Sequence, residues 1–240
     1  MGKTQVKVCG LTRRVDVEAA VAAGADALGL VFYPKSPRFV TPAEAAALVA
    51  DLPPFVVRVG LFVNASCAEI VQTVGLGWLD CVQLHGDETP AFCRQLRLEM
   101  ERVALFPRLI KAVRVATRED VQTVAQWPVQ AILLDAKVES RYGGTGRSFD
   151  WSLLEGWPRL FAASGAALPL ILAGGLTPDN VALAVRQVRP YAVDVSSGVE
   201  TAPGIKCANK IIHFIRQVQQ ADLDQPNTPD ATQWVGTKDD

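Results

Sequence analysis

Residues 168–198, LPLILAGGLTPDNVALAVRQVRPYAVDVSSG, decide how the rest of the chain is read. An apolar run over 168–173 breaks at Gly174-Gly175. Thr177-Pro178-Asp179 then reads as an N-cap with proline at the first helical position. Val181, Val185 and Val188 recur at i, i+4 and i+7, the spacing of one helix face. A second apolar run over 192–196 ends in another glycine-bearing turn, Ser196-Ser197-Gly198. Strand, turn, helix, strand is the repeating unit of α/β architecture.

The same unit recurs toward the N-terminus. Strands are expected at 5–9, 27–32, 56–63, 81–85, 109–113 and 131–135, mostly as continuous Val, Leu and Ile runs. Such runs belong to strands covered on both faces. Helical stripes lie between and after the strands. Val17, Ala20 and Val21 form one, closed by Gly24 as a C-cap, and Ile211, Ile215 and Val218 form another. Thr41-Pro42-Ala43-Glu44 has the form of a capping box. Eight strand-then-helix units in residues 1–220 predict a single-domain α/β protein, a (β/α)₈ TIM barrel. An open doubly wound sheet is the rival, and the count of eight without a second domain favours closure. Residues 221–240, rich in Asp, Gln, Thr and Pro, lose periodicity and are read as a mobile tail.

Composition narrows the function. Of 240 residues, 49% are hydrophobic and 20% charged, which suits a chain with a sizeable core. A formal net charge of −1 without a Lys/Arg cluster argues against nucleic acid as partner. The start of the chain lacks the apolar core of a signal peptide, and no stretch reaches membrane-spanning length. Five cysteines without Cys-x-x-Cys spacing, and only two histidines, speak against a disulfide framework and against zinc. A cytoplasmic enzyme handling a small molecule is the expectation, with no membrane partner. A monomer is expected too, since this fold closes its own core.

The chemistry is expected where strands end, because the carboxyl ends of barrel strands open onto one face. Cys9 closes the first strand and Asp135 the sixth. Across a substrate, such a pair suits proton transfer, one group as base and the other as acid. Cys9 has a structural alternative as a small buried apolar residue. Asp135 has one as a loop cap or the ion-pair partner of Lys137 or Arg141. Base work asks the thiol pKa to fall, and acid work asks the carboxyl pKa to rise.

Glycine-bearing turns at Gly143-Gly144-Thr145-Gly146, Gly174-Gly175 and Ser196-Ser197-Gly198 each follow a strand. Turns after strands 7 and 8 commonly cradle phosphate through backbone N–H groups. Arg38, in the proline-flanked loop after strand 2, suits fork-like binding of a carboxylate, or is a solvated loop charge. His85, ending strand 4, reads first as a structural hydrogen-bonder or a residue behind the site, with contact to the substrate's sugar as the alternative. Asp194 interrupts the eighth apolar run and suits either a substrate hydroxyl or barrel architecture.

In order, Lys7-Val8-Cys9-Gly10-Leu11-Thr12, Ser36-Pro37-Arg38, Gln83-Leu84-His85-Gly86, Leu133-Leu134-Asp135, Gly143 to Trp151, Leu172-Ala173-Gly174-Gly175-Leu176 and Asp194 to Glu200 resemble the phosphoribosylanthranilate isomerases of tryptophan biosynthesis. The resemblance runs from residue 6 to about residue 216. It implies an Amadori rearrangement of N-(5-phosphoribosyl)anthranilate, with Cys9 as general base and Asp135 as general acid. It further implies Arg38 on the anthranilate carboxylate, and Gly144, Gly146, Gly174, Gly175, Ser196, Ser197 and Gly198 around the phosphate. Neither metal nor organic cofactor is implied. Cys207 departs from the family's usual acidic residue there. A sister isomerase of a histidine-pathway ribonucleotide is disfavoured by the thiol, since that class resembles this one but uses Asp at the position of Cys9. A non-catalytic phosphate-binding barrel would not need Cys9 and Asp135 together.

Overall fold

The computed structural model describes residues 3–114, 124, 127–135, 151–154 and 168–224. Eight parallel strands run β1 Gln5–Cys9, β2 Ala27–Val31, β3 Val57–Phe62, β4 Cys81–Leu84, β5 Arg108–Arg114, β6 Ala131–Asp135, β7 Leu170–Ala173 and β8 Ala192–Val195. Each pairs with the next, and β1 also pairs with β8, so the barrel is closed. An open sheet is thereby ruled out.

The pleat explains why continuous apolar runs suit this barrel, since successive side chains point to opposite faces. Val8, Leu28, Val82, Leu109, Ile132, Leu134, Leu172 and Val193 join the layer against the helices. Val59, Cys81, Ile110, Ala112, Leu133, Ile171 and Ala192 fill the bore. Both sets are buried, so polar alternation would be out of place in most strands.

Helices start and stop where their sequences say. Pro42–Val49 and Cys67–Val74 each carry a reciprocal capping box, from Thr41 with Glu44 and from Ser66 with Glu69. Arg14–Ala23 ends at Gly24, whose φ of 95° lies in the left-handed region that glycine enters freely. One start differs from the sequence reading. Helix Val181–Val188 begins after Asn180 rather than after Thr177. The Asn180 side chain turns back, accepting from Thr177 N and donating to Gly175 O, and so ties the turn after β7 to the helix. The last helix, Ala208–Leu223, runs three residues into the stretch read as a tail. The fully buried Ala221 holds it there, and Asp222 accepts from Thr4 N and Thr4 Oγ1. Among the described residues no helix is long and apolar enough to cross a membrane.

Leu133 sits fully buried in the bore, where collapse around a hole is resisted by strands on every side. Leu133→Ala is expected to lower stability by about 2–5 kcal/mol. Equilibrium urea unfolding checks this, and a loss below about 1 kcal/mol would contradict the packing described.

Candidate active site

Strand β1 departs from continuous apolarity, and its alternation matters. Gln5, Lys7 and Cys9 share the inward face, with Val6 and Val8 facing the helices. Register pairs Lys7 with Asp194 across the β1–β8 seam, and Lys7 Nζ donates to Asp194 Oδ1 at 2.8 Å. Both side chains are nearly inaccessible, at 4% and 9% exposure. On the other side, Cys9 pairs with Gly29. A Cβ at Gly29 would stand 2.6 Å from Cys9 Sγ and 3.0 Å from Lys7 Nζ. The missing side chain therefore leaves one small space in which thiol and ammonium are near neighbours.

Their charges answer each other. Burial pushes the Cys9 thiol above its ordinary pKa, and the Lys7 ammonium opposes that rise. Burial works against the Lys7 ammonium as well, but Asp194 and Cys9 outweigh it and hold its pKa above the usual lysine value. The protein's own groups thus do not bring the thiol down toward neutrality, as base work asks. What Lys7 does is limit how far burial raises it.

Asp135 closes β6, with its side chain 28% exposed. His85 Nε2 lies 3.6 Å from Asp135 Oδ2, longer than a good hydrogen bond. Gln83, fully buried in the bore, has its Nε2 2.9 Å from His85 Nδ1. With the amide as donor, Nδ1 accepts and the ring proton sits on Nε2, aimed at Asp135. His85 is thus held from behind by Gln83, while its own ring lines the cavity.

Arg38 approaches from the segment after β2, which an isolated bridge between Val31 and Phe39 holds against the barrel. Its side chain crosses Gly10, where any Cβ would collide with Arg38 Cδ, and Gly10 has φ 75°. The guanidinium is not a solvated loop charge. Nε and Nη2 donate to Glu200 Oε1 and Oε2 at 2.8 and 2.6 Å, so one edge of the fork is already filled from within. Sequence reasoning assigned Glu200 no role. It follows Ser196-Ser197-Gly198-Val199 directly, but only folding brings it to Arg38.

The two late glycine turns touch. A Cβ on Gly198 would strike the Leu176 carbonyl, so the turn after β8 can rest on the turn after β7 only with glycine there. Gly174 and Gly175 have φ 84° and 65°, backbone that favours glycine. Gly144 and Gly146 lie outside the described residues.

One cavity of about 280 Å³ at the carboxyl ends of the strands gathers these groups. Cys9, Arg38, His85, Asp135 and Asp194 line it, with Gly174, Gly175, Ser196, Ser197 and Gly198 along one wall. A neighbouring cavity of about 420 Å³ shares His85 and Asp135 as its wall. Size alone does not select the site. The cavity at the opposite mouth, about 450 Å³, contains neither Cys9 nor Asp135.

A closed parallel barrel with a thiol, carboxylates and an arginine gathered at the carboxyl-end mouth is a (β/α)₈ barrel with its polar groups on the face where such barrels carry enzyme sites. The family model described as N-(5′-phosphoribosyl)anthranilate isomerase matches residues 6–217, and the chain belongs to that family. It is 53% identical over 217 residues to N-(5′-phosphoribosyl)anthranilate isomerase of Magnetococcus marinus, covering 90% of this chain and 96% of the relative. The crystal structure of phosphoribosyl anthranilate isomerase from Thermotoga maritima matches with TM-score 0.77 and 42% identity, over 90% of this chain and 99% of that one. A structure of the isomerase in complex with reduced 1-(o-carboxyphenylamino)-1-deoxyribulose 5-phosphate matches at 0.72 and 39%, with the same coverage.

The thiol environment gives a direct test. Alkylation of Cys9 by iodoacetamide, followed peptide by peptide, is expected to rise with pH along a midpoint above the ordinary thiol value. Lys7→Met removes the charge that favours thiolate, so the midpoint should move further up. An unchanged midpoint in Lys7→Met would show that the ammonium does not act on the thiol.

Proposed function

We propose that the chain converts N-(5-phosphoribosyl)anthranilate to 1-(2-carboxyphenylamino)-1-deoxyribulose 5-phosphate, a step of tryptophan biosynthesis, at the cavity lined by Cys9 and Asp135. The observation that carries this reading is convergence: thiol, carboxylate, arginine and both glycine turns line one cavity. The substrate has matching parts, a carboxylate at one end, a phosphate at the other, and between them an anomeric carbon bonded to both nitrogen and the ring oxygen.

Asp135, as the acid, gives its proton to the furanose ring oxygen as the C1′–O bond breaks. The anthranilate nitrogen supplies the electron pair, leaving an open-chain iminium. Cys9, as thiolate, takes the proton from C2′, and the C–H electrons form the C1′=C2′ bond while neutralising the iminium. The enolamine then gains a proton at C1′ and loses one from the C2′ hydroxyl, giving the ketose. Atoms and electrons balance without an external oxidant, so the scheme calls on no cofactor.

Electrostatics supports the division of labour. The substrate's two anionic groups bring negative charge to the mouth, which favours a protonated Asp135 and disfavours a thiolate. Lys7 offsets the second effect. A thiol raised by burial is a scarcer thiolate but a stronger base, which suits removal of a carbon-bound proton. Arg38 takes the carboxylate. Backbone N–H groups of the turns at Gly174-Gly175 and Ser196-Ser197-Gly198 take the phosphate, joined by Gly144 and Gly146. His85 orients Asp135, and Asp194 acts through Lys7. A monomer suffices, because one barrel supplies every one of these groups, and the cytoplasm is the compartment that suits its reduced thiols.

Decay of phosphoribosylanthranilate fluorescence, with substrate generated in situ, tests the reading. Cys9→Ala and Asp135→Asn are each expected to lose about 10²–10⁴-fold in rate while melting like the wild type. Either variant within tenfold of wild type would remove that residue from its role. Wild-type protein that only matches spontaneous hydrolysis would leave a non-catalytic binding barrel.

A further inference from the structure

Glu200 and Lys206 face each other on the two strands of a small antiparallel hairpin, β9 Glu200–Ala202 and β10 Ile205–Lys206, just beyond the turn after β8. Their side chains are 5% and 0% exposed, and Lys206 Nζ donates to Glu200 Oε1 at 2.8 Å. Neither side chain reaches the cavity lining. A buried pair so placed weakens a fold as readily as it stabilises one, so its connections are the informative part.

Those connections lead to both ends of the site. On one side Glu200 receives Arg38 through two bonds. On the other, Lys206 Nζ donates to Ser196 O and Ser196 Oγ at 3.2 and 3.3 Å, within the turn after β8. The hairpin itself is fixed. Gly204 N donates to Glu200 Oε1, and Lys206 N donates to Asp16, which Arg13 holds with two further bonds. Burial would raise the Glu200 carboxyl, but bonds from Arg38 and Lys206 bring it down to about 2, so it stays ionised at any working pH.

Arg38 has five N–H donors, and Glu200 takes the Nε–H and one on Nη2. The end-on edge, made by Nη1 and the second Nη2 proton, is the edge left for a ligand carboxylate. We propose that Glu200 and Lys206 are positioning residues, a two-residue strut that joins Arg38 to the Ser196 turn and so fixes the distance between the carboxylate-binding and phosphate-binding groups. This rests on the function proposed above. The strut explains why a fork meant for substrate should be half occupied by the protein: the internal carboxylate aims it.

The test separates binding from chemistry. Glu200→Gln keeps the shape and removes the charge, and Lys206→Met removes the link to Ser196. Each is expected to raise KM about tenfold or more, the scale of one charge-assisted bond, with kcat changed less than threefold. Calorimetry with anthranilate and with inorganic phosphate as separate probes should show Glu200→Gln weakening anthranilate most and Lys206→Met weakening phosphate most. The double variant should fall short of the product of the two, because one strut is lost only once. Should Glu200→Gln not fold, Glu200→Asp preserves the charge but is too short to span both cations, and the same losses are expected. Unchanged KM and unchanged binding of both probes in folded variants would overturn the proposal, as would a loss confined to kcat. Wild type inactive on phosphoribosylanthranilate would overturn the functional reading instead, and the calorimetry would still decide the strut.

Discussion

The structure depends on closure at one seam. Strand β1 is hydrogen-bonded to β2 on one side and β8 on the other, and the Lys7–Asp194 pair lies buried across the β8 side. Closure gives every strand an inside, and the two-residue period of the pleat then decides which side chains meet at the mouth. Cys9, Asp135 and the β8 turn stand around one cavity because β1, β6 and β8 all open their carboxyl ends onto the same mouth of one closed ring. In an open sheet β1 and β8 would not meet as edges, and Lys7 would lose its counter-ion.

The seam also sets the electrostatics. Cations at Lys7, Arg38 and Lys206 sit close to the mouth, and each is matched to a protein carboxylate. Buried charges of this kind need partners to be tolerable, and breaking a pair leaves an uncompensated ion. The same arrangement keeps side chains rigid before a ligand arrives, which is what preorganisation asks of a site.

Much of this was legible in the sequence, and the exceptions share a cause. Strand β6 was readable to the residue, because Ala131–Leu134 is apolar and Asp135 breaks the run. The helix start at Thr41 was readable because a capping box is local chemistry. Asn180 displaced Thr177 as cap by folding its side chain back on the turn, a choice between two local partners that spacing does not decide. The last helix outran its expected end because Ala221 is buried against other elements. Arg38 was expected to offer a free fork, and Glu200, its partner, lies 162 positions away. Lys7 left a fainter signal. The alternation of Gln5, Lys7 and Cys9 puts the lysine on the thiol's face, and only the β8 register supplies Asp194.

Everything proposed for the chemistry turns on one step, the passage of a proton from C2′ to the Cys9 thiolate. The most direct measurement uses substrate deuterated at C2′ in a single turnover, with the product's label located by mass spectrometry. A primary isotope effect on the chemical step is expected, with deuterium lost at least in part to solvent. Label carried wholly from C2′ to C1′, with none reaching solvent, would mark a direct hydrogen shift and would contradict the thiolate as base.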